Sequence, residues 1–278
     1  MTIADDACLT LSHKDPHILE NKINKELENI NSWLKSNKLF LNYKKTNYLI
    51  FSKRKTKYHL NIVINNQKLI EQDSTKYLGI TIDNKLSWQP HLKNLQTTLS
   101  RGCYALSKLV PYANQYVMKS VYYSLIYSKL QYCITSWGSC SNSKLNTIIK
   151  LQKRAIRILA KEPYRSHTHP LFAKLKLIKL KDIYRLNMCI LIRKIKDNNI
   201  IGDLTLNNLN TTHNYNTRLR NNDNFYINHS KTNIGKTTFH CNAPRLWQDV
   251  PTRLKNWSVP SFKHNSKHFI INSYNEEE

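Results

Sequence analysis

The sequence predicts an α+β chain, and two observations carry that expectation. Up to Trp88, one amphipathic helix is followed by short apolar runs separated by turn residues. From His91 onward, apolar residues recur at helical spacing through several long, basic segments. At 278 residues and 40% apolar content, the chain can bury a core without disulfides.

Asp15-Pro16 is a helix start, with Asp15 as N-cap and Pro16 at the first helical position. Leu19, Ile23, Leu27, Ile30 and Leu34 then form one apolar stripe, and the helix is expected to stop near Asn37. In LFLNYKKTNYLIF, Leu39, Leu41 and Tyr43 alternate, and Tyr48 to Phe51 reads as a short strand. YHLNIVI and QKLI flank Asn65-Asn66, which tolerates the left-handed backbone of a tight hairpin turn. KYLGITID reads as one further strand, with Gly79 permitting a bulge or a close backbone approach.

From His91 the period changes. Leu92, Leu95, Leu99, Tyr104 and Leu106 begin a helix that Pro111 interrupts, and Val117, Val121, Leu125 and Leu130 continue it in a second. LNTIIKLQKRAIRILAK is a third. Its Lys150, Arg154, Arg157 and Lys161 make a single basic stripe, and Ile148, Leu151, Ala155 and Ile158 form the apolar face. Another basic helix is expected from about Lys179, then an asparagine-rich loop over about 197–236. A closing block carries Trp247, Val250, Leu254, Trp257 and Phe262. Trp33, Trp88, Trp137, Trp247 and Trp257 all sit beside periodic apolar residues and read as core.

The formal charge is +25, from 43 Lys+Arg against 18 Asp+Glu. Such an excess repels itself unless a polyanion shares it, so nucleic acid is the expected partner. An AT-rich coding sequence, which also enriches Lys, Asn, Ile and Tyr, would give the same balance without that function. Six scattered cysteines without C-x-x-C spacing read as reduced intracellular thiols. There is no signal-peptide pattern and no apolar run long enough for a membrane span. The expectation is an intracellular protein, cytoplasmic or nuclear, with no membrane partner.

Asp5 and Asp6 are adjacent carboxylates in an apolar run, costly to bury without a cation, a hydrogen-bond cage or solvent. Paired carboxylates suit divalent cations, and an exposed turn would accommodate them equally. The wider arrangement resembles the palm of reverse transcriptases from non-LTR (LINE-type, jockey-like) retrotransposons. There a Tyr/Phe-Ala-Asp-Asp hairpin, a Leu-Asn-x-x-Lys-Thr block and a Leu-Gly strand follow in order. Here these are Ala4-Asp5-Asp6 with Ile3 in place of the aromatic, Leu41-Asn42-Tyr43-Lys44-Lys45-Thr46, and Tyr77-Leu78-Gly79-Ile80. SWQPHLKNL, SVYYSLIYSKLQYCITSWG, LQKRAIRIL and CNAPRLWQDVPTRLKN are similar to later segments of the same elements.

The resemblance implies a partial polymerase palm of helix and short antiparallel strands at 1–90. A helical thumb or connection would follow at 91–165, then a basic C-terminal region at 166–278. It implies Asp5 and Asp6 as metal-binding carboxylates and Lys45 as the lysine that protonates the departing pyrophosphate. Tyr77, Leu78 and Gly79 would be the strand that holds the primer end. Lys150, Lys153, Arg154, Arg157 and Lys161 would face template–primer phosphates. Mg²⁺ would be the cofactor of the intact parent, and an RNA template and DNA primer its partners. The family also uses a third aspartate on an earlier strand, and only four residues precede Asp5 here. The expectation is therefore a fragment of an RNA-directed DNA polymerase, inactive alone. The alternatives are a non-catalytic nucleic-acid-binding module or a decayed transposon product.

Overall fold

The structure, a computed structural model, describes residues 2–3, 6–52, 58–197, 204–209 and 224–276. They mix helices with four two-stranded sheets, an α+β composition. They form two compact units, Met1–Lys93 and Asn94–Glu278.

In the first unit, α1 runs Pro16–Ser36. Asp15 Oδ1 accepts from the His17 N–H at 2.8 Å, satisfying one of the donors that a helix start leaves open. The helix ends at Asn37. Leu19, Ile23 and Leu27 pack on a small core of Leu60, Ile62, Ile64 and Leu69, with Leu41, Tyr43, Tyr48 and Ile50 around it. The stripe is only half-buried along its length. Polar residues of α1 complete the strand edge beside that core. Asn24 Oδ1 accepts from the Val63 N–H at 3.0 Å, and Glu20 accepts from the Asn61 N–H at 2.9 Å.

The strands are short. β1 (Thr2–Ile3) and β2 (Asp6–Ala7) pair antiparallel, as do β4 (Val63–Ile64) and β5 (Gln67–Lys68). Asn65 and Asn66, at φ 48° and 57°, form the left-handed two-residue turn that joins β4 to β5. β3 (Asn47–Tyr48) pairs parallel with β6 (Ile70–Glu71), so the sheets are not uniformly antiparallel as expected. KYLGITID is also not one strand. β7 (Ser74–Tyr77) and β8 (Ile80–Asp83) form an antiparallel hairpin whose turn is Leu78-Gly79, at φ 45° and 81°. The glycine makes that turn possible, rather than a bulge.

Asp83, buried at the end of β8, anchors the next helix. Its two carboxylate oxygens accept from the Ser87 N–H at 2.9 Å and the Trp88 N–H at 2.8 Å, just before α2 (Gln89–Leu109). Burial alone would push the carboxyl up, but these bonds outweigh it and hold its pKa below the ordinary value. A depressed carboxylate stabilises the fold fully above about pH 4, and that stabilisation is lost as pH falls through the folded-state pKa. Asp83→Asn is expected to cost about 1–2 kcal/mol at pH 7. Urea melts at neutral and acidic pH check this, because the gap between variant and parent should shrink in acid.

The second unit begins within α2, whose buried face includes Leu95, Leu99, Cys103 and Leu106. Tyr104, expected on that face, is exposed, and Cys103 takes its place. α3 (Gln115–Tyr122) passes into a π-helical turn (Tyr123–Tyr127) and then α4 (Ser128–Gln131). The buried residues are Met118, Tyr122, Ile126 and Leu130, not the predicted Val117 and Leu125, which are exposed. A spacing of four overshoots the α-helical turn by about 40° at each step. The wider π turn reduces that drift in the middle of the segment.

α5 (Ile134–Trp137) buries Trp137, whose indole N–H donates to the Tyr132 carbonyl at 2.9 Å. α6 runs Asn142–Ala160, α7 His169–Leu175 and α8 Leu180–Lys196. A Cβ on Gly138 would lie 2.5 Å from both the Ile134 carbonyl oxygen and Tyr184 of α8, so the close approach of α5 and α8 requires glycine. After these come α9 (Asn233–Lys236), α10 (Phe239–Gln248), α11 (Thr252–Lys255) and α12 (Val259–Glu276).

Much of the asparagine-rich segment lies outside the described residues. Of its described part, Asn208 bridges to Phe225, and buried Phe225 meets Trp247 with ring centroids 6.3 Å apart. Trp137 and Trp247 are core residues, whereas Trp33 and Trp257 are exposed, against expectation. All six cysteines are free thiols, and Cys103, Cys189 and Cys241 are buried. Among the described residues, no helix is long and apolar enough to cross a membrane.

Candidate catalytic pair and nucleic-acid interface

Asp5 lies outside the described residues. Of Asp6 only the backbone is described, at the start of β2 with Ile3 as its register partner. Carboxylate oxygens are the donors Mg²⁺ prefers, usually one or two of them together with water and substrate phosphates. Among the described residues no group of three or more His, Cys, Asp or Glu side chains stands together.

The Leu-Asn-x-x-Lys-Thr block folds as a turn, not as the strand that the Leu39–Leu41–Tyr43 alternation suggests. The Asn42 carbonyl accepts from the Lys45 and Thr46 N–H groups, each at 3.0 Å, and from the Thr46 hydroxyl at 2.9 Å. Leu41 and Tyr43 turn toward the small core, and the Tyr43 hydroxyl accepts from Asn65 Nδ2 at 2.8 Å. Leu39 and Phe40 are left exposed. Leu41, Tyr43 and Thr46 are partly buried, and Asn42, Lys44 and Lys45 are exposed.

Tyr77, Leu78 and Gly79 do not form a continuous strand. Tyr77 ends β7, and Leu78-Gly79 is the hairpin turn. The Tyr77 hydroxyl is buried, and among the described residues it has no hydrogen-bond partner.

The basic stripe of α6 is shorter than predicted. Lys150, Lys153 and Arg154 are exposed on the helix. Arg157 is partly buried: its Nε donates to the Ser166 carbonyl at 2.8 Å, and its guanidinium lies over the Tyr164 ring. It therefore pins the segment that follows α6. Lys161 falls beyond the last helical residue, in a left-handed conformation (φ 58°) that caps the helix.

The opposite face of α6 holds a residue that sequence reasoning missed. Gln152 is buried among Leu145, Ile148, Ala155, Ile156 and Leu159. Its Nε2 donates to the Ile178 carbonyl at 2.9 Å and to the Tyr122 hydroxyl at 3.3 Å, and its Oε1 accepts from the Leu180 N–H at 2.8 Å. The available signal was a polar residue at a core position of the apolar repeat.

The chain shares sequence with RNA-directed DNA polymerases of non-LTR retrotransposons, so the resemblance read from its motifs is borne out. It is 26% identical over 184 residues to the RNA-directed DNA polymerase from mobile element jockey of Drosophila melanogaster, covering 65% of this chain and 20% of that protein. It is 29% identical over 171 residues to the probable RNA-directed DNA polymerase from transposon BS of the same fly, covering 59% of this chain and 18% of that protein. A third relative is the probable RNA-directed DNA polymerase from transposon X-element, 22% identical over 57% of this chain and 18% of its own length. The chain spans about a fifth of the length of the curated relatives it matches. No family model matches the chain, and no solved structure matches it.

Proposed function

We propose that these residues are part of a non-LTR reverse transcriptase: the closing portion of the palm, then a helical thumb and C-terminal region that grip the template–primer duplex. In this reading the first unit carries Asp5 and Asp6 as two carboxylates of the Mg²⁺ site. Lys45 stands on its turn as a charge stabiliser or acid for the leaving pyrophosphate. The Tyr77–Gly79 hairpin end lies against the primer. The second unit supplies sequence-independent attraction through α6, with Lys150, Lys153 and Arg154 neutralising phosphates and Arg157 and Lys161 shaping the end of the helix. The observation that carries the reading is the similarity to three mobile-element polymerases together with the family's motif order.

The part of the chain that matches the jockey polymerase corresponds to 20% of that protein, and the family uses a third aspartate on an earlier strand. The chain alone is therefore expected to bind an RNA–DNA duplex but not to extend a primer on RNA with Mg²⁺. Robust cDNA synthesis by the purified chain would overturn the assignment of an incomplete site. For the grip, Lys150→Glu combined with Arg154→Glu should weaken duplex binding by about tenfold or more at moderate salt and flatten its salt dependence. Titrations of a labelled duplex across a salt series check this, and an unchanged slope would remove α6 from the interface.

A further inference from the structure

The second unit contains a cleft that the polymerase reading does not use. Its volume is about 580 Å³, and α6, α7, α8, α10 and α12 all contribute to its walls. That volume lies within the range of small-ligand sites, which are usually mostly apolar with a few placed polar groups. Phe172, Leu186, Leu254 and Phe262 give the cleft a buried apolar floor. Phe269, 40% exposed, offers an aromatic ring to an incoming group.

The charges around the cleft are predominantly positive. Lys153, Lys179, Lys181 and Arg185 line it against Asp182 and Asp249. Asp182 is already occupied, accepting the Tyr274 hydroxyl hydrogen bond and standing 3.9 Å from Arg185. Lys179 is also engaged, with its ammonium 3.9 Å from the centre of the Tyr274 ring. Lys153, Lys181 and Arg185 are exposed. A second observation marks the cleft as a polar site as well as an apolar one. Ser266, 7% exposed, lines it, and among the described residues its Oγ has no hydrogen-bond partner. Native structures rarely leave such a hydroxyl unmatched.

Lys153 connects this cleft to the exposed cations of α6, because it belongs to both. A strand whose phosphates follow Lys150, Lys153 and Arg154 would thus arrive beside an aromatic-walled, cation-edged cleft. The ligand that fits both features is one nucleotide of a single strand. Its base would lie against Phe269 and the apolar floor, its edge within reach of Ser266 and Asp249, and its phosphate near Lys181 and Arg185. A paired base inside a duplex cannot present its face in this way. We infer that the cleft captures an unpaired nucleotide of single-stranded nucleic acid. The inference rests on the nucleic-acid-binding reading of α6 but assigns a different site and a different strand state.

The test uses the full chain with a labelled single-stranded oligonucleotide carrying 2-aminopurine and, in parallel, an RNA–DNA duplex. The single strand should bind with a change in 2-aminopurine fluorescence. Lys181→Glu combined with Arg185→Glu should weaken single-strand binding by about tenfold or more and duplex binding far less. Phe269→Ala, an exposed position whose replacement should leave the fold intact, should weaken single-strand binding by about fivefold or more and abolish most of the fluorescence change. Circular dichroism verifies the fold of each variant. Equal weakening of both substrates, or no fluorescence change on binding, would overturn the cleft assignment while leaving the duplex reading standing. Loss of duplex binding with Lys150→Glu and Arg154→Glu concerns α6 alone, so the two readings fail separately.

Discussion

Gln152→Ala is expected to lower the stability of the chain by about 3–5 kcal/mol, through lost hydrogen bonds and a new cavity together. The side chain makes three bonds at once: to the Ile178 carbonyl, to the Tyr122 hydroxyl and from the Leu180 N–H. Leu180 is the first residue of α8, so its N–H is one of the donors that the helix cannot satisfy internally. Ile178 and Leu180 are themselves buried, and water does not easily replace the missing partner. Tyr122 is buried too, which pushes its phenol well above the ordinary value and keeps it neutral as the acceptor of the amide bond. Gln152→Leu keeps most of the volume but loses all three bonds, and it should recover only the cavity part. Urea unfolding followed by circular dichroism measures both variants. A cost below about 1 kcal/mol for alanine would mean that the junction of α3, α6 and α8 does not depend on this side chain.

The contrast between Gln152 and Asp15 shows what was legible in the sequence. The Asp15 cap, the Pro16 start and the Asn65-Asn66 turn each depend on residues within a few positions, and the structure has all three. Local chemistry decides such features, and a single stretch of sequence contains it. Gln152 depends on Tyr122, Ile178 and Leu180, each at least 26 residues away, and no local pattern names them. The same limit explains the helix faces. Val117, Leu125 and Tyr104 are apolar or aromatic but exposed, because a π-helical turn and a cysteine redirect the buried stripe.

The Leu78-Gly79 turn is hidden in the sequence for a different reason. Tight hairpin turns favour Asn or Asp at the first left-handed position, and a leucine at φ 45° gives no such warning. At the candidate site, the spacing of the Leu-Asn-x-x-Lys-Thr block was visible, but not its shape. The asparagine gathers the block into a turn and leaves both Lys44 and Lys45 exposed.

Trp247→Ala should have an effect of similar size, about 3–5 kcal/mol, and should loosen the C-terminal block in particular. The indole is fully buried, with the rings of Phe225 and Phe262 at 6.3 Å and 5.7 Å and the ammonium groups of Lys196 and Lys255 at 5.8 Å and 5.5 Å. Two cations over one ring make the tryptophan electrostatic as well as apolar filler. Lys255 is itself buried, and its Nζ donates to Asn224 Oδ1 at 2.8 Å. Burial holds its pKa below the ordinary lysine value, with Cys189 opposing that shift only in part.

A lysine whose folded-state pKa is depressed favours unfolding while it is protonated. Its contribution to stability therefore rises as pH climbs from the folded-state pKa toward the unfolded value of about 10.4. In Lys255→Met that rise should be reduced, with Lys196, also depressed by burial, supplying what remains. Trp247→Phe keeps an aromatic face for both cations and should cost about 1–2 kcal/mol less than alanine. Urea melts between neutral pH and about pH 10 compare the three variants with the parent. Trp247→Ala should also expose the region around α10 and α11 to limited proteolysis before the rest of the second unit. Equal costs for alanine and phenylalanine would show that the two lysines gain nothing from the ring.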